Sequence, residues 1–167
     1  MAEPLDADAI DALLIAAFDA VPQPPREALI NTHCEECLET SEALAGKPWQ
    51  AITLDDLLRG RETALLTPAA WRYYLPAMIR WCVRDPHAVD VLLDNLVYAL
   101  EPPQPEAYPG QRQYFEARAT GFDARQREAI VAYLEWYRAK EEADWGTLGA
   151  KPPDNVYKAL AHWTQAR

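Results

Sequence analysis

One serine, six glycines and three cysteines in 167 residues leave little material for several common kinds of site. Ser41 is the single serine, it lies in a glutamate-rich stretch, and no G-x-S-x-G elbow surrounds it, which nearly excludes serine-triad hydrolysis. The glycines never fall as G-x-G-x-x-G or as a P-loop, so no phosphate-cradling loop is expected. No run approaches the roughly 20 apolar residues that cross a bilayer, and no charged-then-apolar leader opens the chain. A soluble, cytoplasmic protein without a membrane partner is the expectation. Cys34, Cys37 and Cys82 are an odd number in a chain of this size, which argues against a secreted disulfide framework and makes reduced thiols the expected state. Internal repeats are lacking, and so is the two-residue alternation of β-strands.

Acids, by contrast, are abundant. The net charge is −10 and it is segregated: residues 1–60 carry 12 acids and 3 bases, giving −9, and residues 61–167 carry 14 acids and 13 bases, giving −1. An end of that sign repels phosphate, so no nucleic-acid partner is expected there, whereas a basic protein is steered towards it. Half of the residues are apolar, enough for one well-buried core, and we expect a single domain.

The stretch Leu66 to Val83 organises the chain. Thr67 is an N-cap and Pro68 suits a first helical turn, and the residues that follow are apolar or aromatic on nearly every side, as in a helix surrounded by others. Pro76 lies mid-segment and is expected to kink or split it. Before it, Asp6 caps a helix with Ile10, Leu13, Leu14, Ala17, Phe18 and Val21 on one face, ended by Pro22, Pro24 and Pro25. The pattern then predicts a helix over 26–44, with Ile30, Cys34, Cys37, Leu38, Ser41 and Leu44 inward and Glu35, Glu39 and Glu42 outward. Thr53 with Asp56 signals a short capped helix. After the central segment, Asp85-Pro86 opens a helix through Leu100. Residues 101–121 read as a surface loop with one helical turn near Tyr114 and Phe115. Asp123 with Gln126 opens a long helix to about Glu141-Glu142, Trp145-Gly146 and Gly149 mark a turn, and Asp154 caps a last helix. The fold class is therefore all-α, a single-domain bundle of about six helices around a central proline-kinked helix.

Several of these pieces together resemble an uncharacterised family of small helical bacterial proteins, a domain of unknown function. They are the Ala17-Phe18 helix followed by prolines, Cys34-Glu35-Glu36-Cys37 with Glu39, Gly46-Lys47-Pro48-Trp49, Leu66-Thr67-Pro68 through Tyr73-Tyr74-Leu75-Pro76, and Gln126-Arg127. The resemblance implies a helical domain of a bacterial cytoplasm and carries no activity with it. Residues 145–167 look like a C-terminal helical addition to the pattern.

Four groups of side chains are candidates for chemistry. His33-Cys34-Glu35-Glu36-Cys37 has the spacing of half a zinc site that His33, His87 or Cys82 would complete, but a lone C-x-x-C without a second pair is a weak signal. Two buried thiols on a helix stripe are the preferred reading, ahead of metal binding and of redox or nucleophilic use, which the adjacent glutamates oppose. Accordingly no cofactor is expected. Glu35, Glu36, Glu39 and Glu42 form an outward acidic face, read either as simply solvated or as a docking surface. Arg72, Arg80 and Arg84 share one side of the central helix and are candidate anion contacts, although arginines leaving a crowded helix more often pair with nearby carboxylates. Trp49, Trp71, Tyr73, Tyr74 and Trp81 are core candidates, and any left exposed, Trp49 among them, is a natural interface anchor.

The first functional expectation is a non-catalytic acidic binding module, an immunity-type inhibitor that neutralises a basic bacterial toxin or effector. Two alternatives stand beside it: a thiol- or metal-dependent enzyme or sensor centred on Cys34 and Cys37, and a homo-oligomeric adaptor that uses the aromatic surface on itself.

Overall fold

A computed structural model describes residues 4–32, 34–60 and 62–165. Among these residues the fold is all-α, with eight α-helices and three short 3-10 turns. The first helix, α1 (Ala7–Phe18), starts where Asp6 accepts a hydrogen bond from the Ala9 N–H at 2.9 Å, and it buries Ile10, Leu14 and Phe18 on one stripe.

The helix expected over 26–44 is instead two pieces. A 3-10 turn at Arg26–Ala28 leads into extended backbone, and α2 begins only at Glu35 and ends at Leu44. The cause is a long-range pairing that a helix would forbid. Ile30 and Leu66 form an antiparallel bridge, the Asn31 N–H donates to the Leu65 carbonyl and the Thr67 N–H to the Leu29 carbonyl, both at 2.9 Å. Thr67 also donates its hydroxyl to the Ala28 carbonyl at 2.6 Å, so the cap of the central helix holds the preceding segment straight. As a consequence Ile30 is only half-buried and Leu38 is 52% exposed, so neither belongs to the inner stripe predicted for it.

The central helix, α4 (Pro68–Arg84), is continuous through Pro76, and eleven of its residues are buried. It packs against α1, α5, α6, α7 and the 3-10 turn at Trp49–Ala51. Its aromatic side chains satisfy their polar atoms on the loops around it: the Tyr74 hydroxyl donates to the Leu44 carbonyl at 2.7 Å, and the Trp81 indole N–H donates to the Ile52 carbonyl at 2.9 Å. After these loops comes α3 (Leu54–Arg59), opened by the predicted capping box of Thr53 and Asp56.

The second half departs from expectation in four places. Asp85 accepts from the Ala88 N–H as a cap would, but residues 86–91 are turns, with Asp90 at a φ of 52°, and α5 is confined to Leu92–Leu100. Residues 109–119, read as loop, form α6 (Pro109–Ala119). Its first turn is Pro109-Gly110 and its apolar periodicity is slight, because its inward contact is made by the aliphatic stem and guanidinium of Arg118. The long helix α7 (Ala124–Thr147), opened by the predicted Asp123–Gln126 capping box, runs through Trp145-Gly146 and turns at Gly149. Asp154 precedes α8 (Asn155–Trp163) without a side-chain capping bond. With α6 added, the described residues hold eight helices against the about six expected.

One contiguous core joins α1 to α8. Trp163 closes it at the end of the chain, donating its indole N–H to the Leu100 carbonyl at 2.9 Å. Among the described residues no helix is long and apolar enough to cross a membrane.

Asp56 is a nearly buried carboxylate at the start of α3. It accepts from the Thr53 N–H at 3.0 Å and from the Lys47 ammonium. Burial pushes its carboxyl up, but the bonds from Lys47 and Thr53 outweigh that and hold it below its ordinary value of 3.8. Asp56→Ala is expected to lower the unfolding free energy at pH 7 by about 1–3 kcal/mol, by denaturant titration. Because the folded-state pKa is depressed, this contribution is complete near neutrality and is lost as pH falls through the folded value. The gap between wild type and variant should therefore shrink by pH 3.

Candidate functional site

The N-terminal end of α2 is where the sequence-predicted residues converge. Cys34 is not on the inner stripe but is the N-cap, exposed, with extended backbone. Cys37 is fully buried, and the two sulfurs form a disulfide with Cα atoms 5.0 Å apart. This corrects the expectation of two packed, reduced thiols. The shortened helix is the reason: once helical geometry starts at Glu35, residue 34 folds back over the first turn, where its sulfur meets both the Cys37 N–H and the Cys37 sulfur. Thr32 approaches from outside, its hydroxyl 3.1 Å from the Cys37 sulfur. Cys82 is elsewhere, fully buried on α4, its thiol pushed up to about 12 by burial.

Metal binding needs a third ligand at this place. His87 is exposed on the turn after α4, Cys82 is in the core, and His33 lies outside the described residues. Among the described residues no group of three or more His, Cys, Asp or Glu side chains is placed to hold a metal ion.

The acidic face is present as predicted in position. Glu35, Glu36, Glu39 and Glu42 are all exposed, and no lysine or arginine occurs between Arg26 and Lys47 to neutralise them locally. Lys47, the nearest base in sequence, is committed to Asp56. Between α2 and α3 the surface forms a recess of about 340 Å³ lined by Glu36, Glu39, Leu58, Arg59 and Glu62. Among the described residues three carboxylates and one guanidinium line it, with an aliphatic wall. Such a recess has the polarity to accept a lysine or arginine side chain.

Trp49, offered as an interface anchor, is 1% exposed and covered by the Arg80 guanidinium, 4.6 Å above its ring, so it reaches no partner. Trp71, Tyr73 and Tyr74 are buried too. The three arginines of α4 are engaged internally. Arg80 contacts Asp11 at 2.5 Å and the Gln50 carbonyl at 3.2 Å, and Arg84 takes the other oxygen of Asp11 at 2.9 Å. Arg72 donates to the Gly121 carbonyl at 2.8 Å. Gly121 has a φ of +88°, a conformation that favours glycine, and a Cβ there would meet that same guanidinium at 2.8 Å and displace it.

Arg118 on α6 is the residue that sequence reading passed over. It is 4% exposed and lines a cavity, and its only sequence signal is a lone arginine beside Ala117 and Ala119 in a stretch without helical periodicity.

The chain belongs to a family of unknown function, DUF6714, whose model matches residues 7–167. The match includes residues 145–167, which the sequence reading took as an addition; α8 is part of the family's common domain, consistent with its packing on α7 and α5. No curated protein and no solved structure matches the chain.

The disulfide geometry makes a chemical prediction. Native protein should not react with iodoacetamide, since Cys82 is buried with its thiol raised. After mild reduction, peptide mapping should find alkylation first at Cys34, with Cys37 and Cys82 modified only on unfolding. Equal modification of Cys34 and Cys37 would contradict the N-cap arrangement.

Proposed function

We propose that the protein is a non-catalytic binding module whose acidic surface, formed by α2 and the edge of α3, docks a basic protein partner. An immunity-type inhibitor of a basic toxin or effector fits this description. The observation that carries the reading is the acid-lined recess: Glu36, Glu39 and Glu62 surround a space with one arginine, and Glu35 and Glu42 extend the same helix's charge. Carboxylates that outnumber the cations among the described residues repel one another across the face, and a partner's lysine or arginine entering the recess relieves that repulsion. Charge of one sign also accelerates encounter. The buried state of Trp49, Trp71, Tyr73 and Tyr74 moves the reading away from aromatic anchors and onto electrostatics.

A second reading rests on the disulfide. An exposed N-cap sulfur bonded to a buried one three residues on is the arrangement in which an incoming thiolate reaches one sulfur and displaces the other, so the pair can exchange with external thiols. The α2 N-terminus favours negative charge on the Cys34 sulfur, and Glu35 and Glu36 oppose it. Equilibration in dithiothreitol buffers separates the uses: a potential of roughly −180 to −270 mV marks an exchanging pair, and one below about −300 mV marks a structural staple.

The docking reading is tested by purifying the tagged protein from cells that express its genomic neighbours. A basic protein retained near equal stoichiometry, released by roughly 0.5 M salt, is expected, because salt at that level shrinks electrostatic range to a few ångström. Glu36→Lys with Glu39→Lys should weaken the isolated complex at least about tenfold while leaving the helical circular dichroism intact. Recovery of the chain alone and monomeric, or a partner indifferent to the double reversal, counts against it. A symmetric dimer by light scattering would favour the adaptor alternative.

A further inference from the structure

Arg118 is a buried cation with no acid beside it. Its guanidinium lies over the Trp71 ring, 3.8 Å from the centroid, gives one hydrogen bond to the Thr63 carbonyl at 2.7 Å and another to the Tyr114 hydroxyl, and leaves Nε unpartnered. Among the described residues no carboxylate pairs with it. Burial lowers its pKa to about 10, which still leaves it charged at neutral pH. Stacking on an aromatic face offsets part of the cost of burying that charge, but a desolvated guanidinium ordinarily also has an anion.

Space for an anion exists. Arg118 lines two adjoining cavities that share Tyr98, Ala99 and Tyr114. One, of about 130 Å³, is walled by Pro102, Pro103 and Phe115, and the other, of about 230 Å³, reaches Thr63 and Asn95. An apolar cavity of roughly 150 Å³ accommodates a benzene ring, so the first lobe has the size of one small ring or branched chain. Its mouth carries Tyr98 and Tyr114, 65% and 40% exposed. Two acids stand at the rim. Glu101 is occupied by Gln104 at 3.2 Å and Lys158 at 3.7 Å, and Glu62 is exposed on the second lobe. Their charge disfavours a multiply charged phosphate and leaves a single carboxylate as the anion the cavity tolerates.

We infer that this cavity binds a small monocarboxylate with an apolar, ring-sized body, its carboxylate taken by the Arg118 guanidinium, whose Nε–H is unpartnered, and its body seated against Tyr98, Pro102 and Phe115, while the Tyr114 hydroxyl, which donates to the Ala64 carbonyl at 2.8 Å, holds Arg118 in place. Guanidinium and carboxylate match in planar geometry, which a point charge would not. The inference does not rest on the proposed docking of a basic protein: the cavity lies on α5, α6, the loop between them and the turn at residues 62–64, and it takes a ligand of the opposite sign.

The experiment is an NMR and calorimetric titration of the intact protein with sodium benzoate, with benzamide as the uncharged probe of the same shape and inorganic phosphate as the polyanion. Saturable benzoate binding is expected, roughly tenfold or more tighter than benzamide, with no saturable phosphate binding and with movement of the Arg118 Nε–H resonance. Arg118→Met should abolish the preference for benzoate over benzamide. Should that variant fail to fold, Tyr98→Ala at the exposed rim should weaken benzoate several-fold without altering the fold. Equal affinity for benzoate and benzamide overturns the inference, as does binding that leaves the Arg118 resonance unmoved, or no saturable benzoate binding.

Discussion

Burial of α4 on almost every side is the constraint from which most of the structure follows. A helix with eleven buried residues of seventeen has little face of its own for water, so most of its polar side chains find partners on neighbouring elements. Tyr74 fixes the end of α2, Trp81 fixes the loop before α3, and Arg80 and Arg84 together draw in Asp11 of α1. These are long-range contacts between side chains and irregular backbone. They explain how a chain with fourteen prolines and many turns keeps its loops in place, and why the three α4 arginines are each bonded to another part of the chain.

The same helix decides the geometry at Cys34. Its cap, Thr67, donates to the Ala28 carbonyl and accepts from the Ala70 N–H, so a single hydroxyl both starts α4 and straightens the chain before α2. With residues 29–31 paired to 65–67, α2 cannot start earlier than the residues after Thr32. Cys34 becomes a cap in place of a core residue, and its sulfur comes within reach of Cys37. Local periodicity places both cysteines inward because periodicity carries no information about a bridging segment more than thirty residues away.

That division runs through the whole molecule. What was legible in the sequence is local: the caps at Asp6, Thr53, Thr67 and Asp123, the apolar stripe of α1, and the aromatic core of α4. What was not legible rests on tertiary contact. The α6 helix has little apolar stripe because a long arginine side chain, stacked on Trp71 from another helix, does the work of a hydrophobe. Trp49 read equally well as core or as surface anchor, and only the Arg80 guanidinium above it decides for core. The acidic face was visible as composition, but the recess within it was not, since Glu62, Leu58 and Arg59 come from beyond α2.

The distribution of charge gives the molecule two opposite imbalances close together. Around α2 the acids outnumber the available cations because Lys47 is held by Asp56, while Asp11, which might have joined other acids at the surface, is consumed by Arg80 and Arg84. Around Arg118 a cation is buried with aromatic rings and carbonyls for company and no acid. Folding stability alone favours neither arrangement: an exposed glutamate face gains nothing from its own repulsion, and a guanidinium without a counter-charge keeps a desolvation cost that stacking only partly returns. Glu62 borders both the acidic recess and the second lobe of the Arg118 cavity. A cation entering the recess therefore reduces the negative field at the cavity rim, and an anion beside Arg118 alters the field that Glu62 presents to the recess. Any occupancy of the two places is electrostatically linked through that one carboxylate, with the sign of the linkage favourable in both directions.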